Sequence, residues 1–431
     1  MPKPILAALA ALALISTSAA AQAPAPDVTA IRAGRLIADA RSGASGPALI
    51  LVEAGRIKAV LPGDAPVPTG AKLVDLSDAT VLPGLIDSHV HLTGDPGGAF
   101  WQEAVETTEH ASLVGAKNAL LTVKAGFTTV RDLGSSKLSG FALRDAVREG
   151  LVPGPRIVAA GNAVSIIGGH GDTSGFRPEV NAALSEGQTC TGPVECAARV
   201  REFSKRGADV IKITATGGVL SQQGRGLGQH FTAEEMKAIV TTATSLGLKV
   251  AAHAHGDDGI RGAAEAGVAS IEHGTYASPA TLAVMKAKGT FMVPTLMALT
   301  GLNDRVGRNI YTPVVEKKAR DTLTMWGKQV QASQKAGVRI AFGTDAGVFE
   351  HGRNAGEFAL MVEKGGMTQK AALVAATTGA AELLGLENEI GTIAPGKAAD
   401  IIAVSGDPLT DPKSLEKMRF VMAAGRTIPL D

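Results

Sequence analysis

One recurring unit constrains this chain more than anything else in it. A short apolar segment ends at a polar or charged residue, and a helical stretch of 10–20 residues follows. The segments are 80–85, leading into Asp87-Ser88-His89-Val90-His91; 128–131, ending at Asp132; 156–160, ending near Asn162; and 209–214, which contains Lys212. Four more follow: 249–252, ending at His253; 270–272, ending at His273; 291–293, ending at Pro294-Thr295; and 339–343, ending at Thr344-Asp345. Such alternation of strand and helix marks a parallel α/β protein. Helical patterns fill the gaps, as at 232–246, where Ala233-Glu234-Glu235 puts acidic side chains in the first turn, favourable for the helix dipole. Eight units over about 310 residues predict a (β/α)8 barrel with insertions.

The flanks do not fit that repeat. Residues 22–80 carry short β segments at 30–36 and 48–60, and residues 390–431 carry similar ones at 391–393, 399–404 and 420–428. Each flank alone is too small to bury its own core. The economical expectation is one small β-sandwich built from both chain ends, with the barrel at 81–389 between them. Residues 1–21 read as a secretory signal: Lys3, an apolar run from Ile5 to Ile15, and Ala19-Ala20-Ala21 before Gln22. That run is shorter than the ~20 residues a bilayer span needs. The expected location is therefore exported, periplasmic or secreted, with no membrane association once the signal is removed. Export permits a disulfide. Cys190 and Cys196 flank the turn-rich TGPVE, which leaves a small disulfide loop and two free thiols both open. With 42 Lys and Arg against 41 Asp and Glu, and 3% aromatic residues, neither charge nor base stacking favours a nucleic-acid partner.

Eight of the nine histidines lie at a strand end or in the loop after one, His110 being the exception. Active sites of (β/α)8 enzymes sit at the C-terminal ends of the strands. His89 and His91 are alternate residues and point to one face of a strand. With His253 and His273 ending two later strands, they form a candidate metal-ligand set. Lys212 sits inside the apolar run Val210-Ile211-Lys212-Ile213. Burial lowers a lysine pKa, and a neutral amine reacts with carbon dioxide to give a carbamate, an anionic ligand with two oxygens. Asp345 can bind a metal and accept a proton from a bound water. Standing alone it would be a helix N-cap.

These pieces together resemble the metal-dependent amidohydrolase superfamily. The matching stretches are Pro83-Gly84-Leu85-Ile86-Asp87-Ser88-His89-Val90-His91, Val210-Ile211-Lys212, Ala252-His253-Ala254-His255-Gly256, Ile271-Glu272-His273-Gly274-Thr275, Gly343-Thr344-Asp345 and the C-terminal run from Gly391 to Asp400. Gly168-Gly169-His170-Gly171-Asp172 and Thr216-Gly217-Gly218-Val219 resemble its prolidase-like or Xaa-Arg dipeptidase branch, which includes ochratoxin-hydrolysing amidases. The resemblance implies two divalent metal ions, usually zinc, bridged by a carboxylated lysine. Carried over, His89, His91 and Asp345 hold one metal, His253 and His273 hold the other, and carboxylated Lys212 bridges them. His255 then either supports the ligands from behind or faces the substrate. The family is often homo-oligomeric.

The implied reaction is hydrolysis of the amide bond of a dipeptide or N-acyl amino acid with a free carboxylate, ochratoxin A included. A metal-bridging hydroxide attacks, and Asp345 takes its proton and gives it to the leaving amine. The substrate carboxylate needs a cation or donors, for which His170, Arg225, His230 and Arg353 are the candidates. A glycine-rich loop at 217–228 is a candidate lid. Two other functions stay open on this evidence. One is ring opening of the imidazolonepropionase kind, and the other is an exported metal-binding protein without turnover.

Overall fold

The computed structural model describes residues 28–97, 100–222 and 224–431. The expected signal at 1–21 lies outside the described residues. Both chain ends build one β unit, as expected, but as a single mixed sheet rather than two facing sheets. Its order is Arg426–Thr427, Met418–Ala423, Ile401–Val404, Lys72–Pro83, Val28–Asp39, Ala48–Glu53 and Arg56–Pro62, with Gly43–Ser45 added on Val28–Asp39. The physical reason is the length of Lys72–Pro83. Its 12 residues pair in parallel with Val28–Asp39 along most of their run, and its last four also pair antiparallel with Ile401–Val404. The register slips between Ala33 and Arg35. A Cβ on the intervening Gly34 would lie 2.0 Å from the Ser77 carbonyl oxygen, so the strands approach this closely only at glycine. Expected segment 48–60 is a hairpin, turned at Ala54-Gly55 where both φ angles are positive (50° and 77°). Ile31, Ile50, Val81, Ile401 and Met422 fill one core between the two ends of the chain.

The parallel part comes in two sheets. Leu85–Val90, Phe127–Asp132 and Arg156–Ala159 form one; Ile211–Thr214, Val250–Ala254, Ser270–His273 and Phe291–Val293 form the other. Hydrogen bonds join them at both edges. Asp209 N donates to Ala159 O (2.8 Å) and Val164 N to Lys212 O (2.8 Å) on one side. On the other, the expected eighth segment intervenes: Ala341 N donates to Met292 O (3.0 Å), Ser88 N to Phe342 O (2.9 Å) and Asp345 N to His89 O (2.7 Å). That segment makes isolated bridges instead of a regular strand. Phe342 of this segment packs tilted against Phe127 and Phe358, with ring centroids 5.4 and 4.4 Å away.

The predicted helix at 232–246 is Ala233–Ser245, capped by Thr232 with a reciprocal Glu235 bond. Cys190 and Cys196 are joined in a disulfide. No helix among the described residues is long and apolar enough to cross a membrane.

Candidate metal centre

Strand alternation delivers His89 and His91 to the same side, and their Nε2 atoms lie 3.3 Å apart. Asp345 Oδ1 stands 3.4 Å from His89 Nε2 and 3.3 Å from His91 Nε2. The three form one compact donor set, and His253, His255 and His273 form a second; within each, the donor atoms lie within 4.8 Å of one another. Lys212 is buried, its Nζ 3.4 Å from His89 Nε2. All seven side chains line one cavity of about 660 Å³.

Each ring is steered by a partner on its far nitrogen. His89 Nδ1 meets Glu272 Oε2 at 2.9 Å, and His91 Nδ1 meets Gly134 O at 3.0 Å. Thr275 Oγ1 lies 2.7 Å from His255 Nδ1, and Thr295 Oγ1 lies 2.7 Å from His273 Nδ1. For His253 the steering contact is Nε2 to Gly217 O, 3.3 Å. Such partners fix which nitrogen faces a metal.

Electrostatics suits metal binding. Burial lowers His89 and His255 to about 4 and holds His253 and His273 well below the ordinary histidine value, so these rings are neutral at pH 7 and keep a lone pair to donate. Burial also pulls Lys212 down to about 8, against the opposing Glu272 and Asp345 carboxylates. An appreciable fraction is then the neutral amine that carbamate formation requires. Desolvation works against ionised Asp345, but the histidines around it prevail and its pKa falls well below the carboxylate range. The donor set therefore fits divalent metal.

Of the other residues singled out in the sequence, His170 joins the cavity. Its Nδ1 lies 2.6 Å from Ser221 Oγ and its ring centroid 4.3 Å from that of His253. Arg225 is exposed beside Gly168 and His230 is half-buried; neither lines the cavity. Arg353 is exposed and paired with Glu350 at 2.7 Å.

Several residues at the site were not read from the sequence. Arg131 and Glu272 are fully buried and bonded at 2.9 Å, with Arg131 Nε also donating to Ser88 O at 2.6 Å. For Arg131 the available signal was the one used for Lys212, a charge inside a short apolar strand. Asp87 accepts from Thr344 Oγ1 (2.6 Å), Asn354 Nδ2 (2.8 Å) and His89 N (3.1 Å). Glu357 reaches the backbone of Leu296 and Met297.

Comparison with known proteins places this geometry among relatives. The profile of the amidohydrolase family matches residues 80–428. Ochratoxinase of Aspergillus niger is 32% identical over 419 residues, which covers 91% of this chain and 84% of that protein. A solved Xaa-Pro dipeptidase with methionine bound in its active site superposes with a TM-score of 0.88 at 38% identity, over 93% of this chain and 99% of the other. A prolidase complexed with N-methylphosphonate-L-proline gives 0.84 at 29% identity, over 93% and 99%.

Proposed function

Because the chain belongs to the amidohydrolase family and is a hydrolase of that family, we propose that it cleaves the amide bond of dipeptides or N-acyl amino acids bearing a free carboxylate. The observation that carries this reading is the pair of three-residue donor sets around one cavity with buried Lys212 beside them. In it, the ring of strands is a (β/α)8 barrel and the site lies at the C-terminal strand ends. Two divalent ions, zinc by preference, would be held by His89, His91 and Asp345 on one side and His253 and His273 on the other, with Lys212 shared as its carbamate. Bound there, such ions would supply Lewis acidity, lowering the pKa of a water and polarising a carbonyl.

The protein's own groups do the rest. The Asp345 carboxylate accepts the proton of the attacking water and releases it to the leaving amine. His170, held by Ser221, faces the substrate near His253. Val219, Leu299 and Leu302 give the cavity an apolar wall for a substrate side chain. The relatives named ochratoxinase and Xaa-Pro dipeptidase set the first panel: ochratoxin A, Xaa-Pro dipeptides, other dipeptides and N-acyl amino acids. Residues 1–21 are read as an export signal, checked by whether the exported protein begins at Gln22.

The test is metal content together with hydrolysis. The chain from Gln22, produced with zinc and bicarbonate, should hold about two metals and cleave carboxylate-bearing substrates far faster than their C-terminal amides. Equal cleavage of the amides would remove the carboxylate requirement. Fewer than one tightly held metal, with no loss on Lys212→Ala, would overturn the binuclear reading. Two metals with activity confined to cyclic amides would make it a ring-opening enzyme.

A further inference from the structure

We propose that Glu357, which is not among the residues lining the cavity, is a positioning residue for the metal-facing ring of His273. The inference rests on the reading of His273 as a metal ligand. It starts from a helix whose cap is missing. Thr295 precedes the helix Leu296–Asn303 and occupies its N-cap position. Threonine there ordinarily turns its hydroxyl onto a free N–H of the first turn. Thr295 does not; its hydroxyl goes to His273 Nδ1 at 2.7 Å instead. Its backbone sits at φ 51° and ψ 49°, a left-handed conformation that β-branched residues avoid.

Two consequences would follow if nothing else intervened. The buried N–H groups of Leu296 and Met297 would have no acceptor, and the strained turn would relax by rotating the Thr295 hydroxyl back over the helix. Glu357 answers both. It is fully buried, near the start of the helix Gly356–Glu363, and its two carboxylate oxygens take one N–H each: Leu296 at 2.8 Å and Met297 at 2.6 Å. By capping the helix from a distant part of the chain, Glu357 releases the Thr295 hydroxyl to hold His273. The distance from Glu357 to the ring is bridged by Leu296, Met297 and Thr295, with a hydrogen bond at each end.

A plain structural cap and a positioning residue differ in what they do to zinc. The experiment uses the full mature chain and zinc alone, with affinity read by competition against a chelator of known strength. Wild type should hold two zinc ions. Glu357→Gln and Thr295→Val should each weaken one of them about 10- to 100-fold, the range for loss of a partner behind a metal-binding histidine, and leave the other unchanged. Thr295→Ser, which keeps the hydroxyl, should restore binding to within about threefold of wild type. The double variant Glu357→Gln/Thr295→Val should be no weaker than the weaker single one, because both cut the same chain of contacts. Should Glu357→Gln fail to fold, Glu357→Asp, which keeps the carboxyl group and shortens the reach, is read in the same way. Unchanged affinity for both ions in folded variants, equal weakening of both, or strict additivity in the double variant overturns the proposal. A wild-type chain that holds fewer than two zinc ions overturns the binuclear reading itself.

Discussion

The sharpest stability test lies behind His89. Arg131, Glu272 and His89 are 2%, 0% and 1% exposed, so water cannot replace any bond broken among them. Glu272 Oε1 accepts from Arg131 Nη2 (2.9 Å) and Ser270 Oγ (2.5 Å), while Oε2 holds His89 Nδ1 (2.9 Å). Glu272→Gln keeps the shape, removes the charge and takes from the buried guanidinium its hydrogen-bonded counter-ion, leaving only the more distant Asp87 carboxylate. Removing one partner of a buried pair costs roughly 3–5 kcal/mol. Glutamine still offers one acceptor oxygen, so the lower end, about 3 kcal/mol, applies. With an unfolding entropy of about 2.1 cal/mol/K per residue over roughly 400 described residues, that shifts Tm down by about 4 °C. Arg131→Met/Glu272→Met, which removes both charges, should recover at least half of the loss. It should not recover zinc affinity, since His89 Nδ1 still lacks its acceptor. Calorimetry at pH 7 and zinc competition on the same samples separate the two effects. A Glu272→Gln protein within 1 °C of wild type with unchanged zinc affinity would refute the account. So would a double variant that regains zinc binding along with stability.

Three further outcomes are expected. Asp345→Asn, assayed with zinc in excess, should lower kcat by 10²–10⁴-fold, the usual worth of a general base, with KM within about threefold; steady-state kinetics decide it. Lys318 donates to Gly218 O (2.8 Å) and Ser221 O (2.7 Å), and burial lowers its ammonium to about 8. Between pH 8 and 10.5 the folded chain therefore binds fewer protons here than the unfolded one, so this group's contribution to stability rises across that window. Meanwhile the neutral amine grips the loop less firmly, and KM should climb above pH 8; Lys318→Met should show the raised KM already at pH 7, and a flat wild-type profile to pH 9 would refute this. Cys190 and Cys196 are six residues apart, a loop whose closure is worth about 2 kcal/mol, so Cys190→Ala/Cys196→Ala should melt about 2–3 °C lower. Because Glu186 and Gln188, just before Cys190, line the cavity, the same variant should raise KM more than it lowers kcat.

The sequence carried the donors and lost the supports, for a physical reason. His89, His91, His253 and His273 announce themselves because each stands where an apolar run stops, and Lys212 because it interrupts one. Six of the eight expected segments are regular strands of the ring; of 80–85, residues 80–83 instead end the chain-end strand Lys72–Pro83 and the ring strand is Leu85–Val90, while 339–343 is not regular, because its bonds alternate between Met292 on one side and Ser88 on the other without building a ladder. Arg225 and His230 carried suitable chemistry, but side-chain direction in a glycine-rich loop is not encoded by spacing. Glu272 was hidden by alternation: if His273 faces the site, its neighbour should face away. Glu357 and Asn354 were hidden by distance, since their partners lie 60 and 267 residues away along the chain.

That failure of alternation exposes how the site is built. His273, Thr295 and Asp345 all have positive φ, at 70°, 51° and 61°, and stand at the ends of three successive segments of the ring. None is glycine, and each such residue costs about 1–3 kcal/mol. The left-handed turn at His273 is what lets Glu272 and His273, adjacent in sequence, both reach His89: one by hydrogen bond, the other with ring centroids 5.2 Å apart. The same turn at Asp345 follows Thr344, whose hydroxyl and N–H are both held by the Asp87 carboxylate, which also accepts His89 N. A hydrogen bond contributes about 0.5–1.5 kcal/mol net, and one to a charged group about 1.5–3, so two or three such bonds can offset one strained residue. The carboxylates that offset the strain, Asp87, Glu272 and Glu357, are not among the residues lining the cavity. They support the convergence of the donor sets, since unsupported strand ends would relax to ordinary φ values and turn these side chains away from one another.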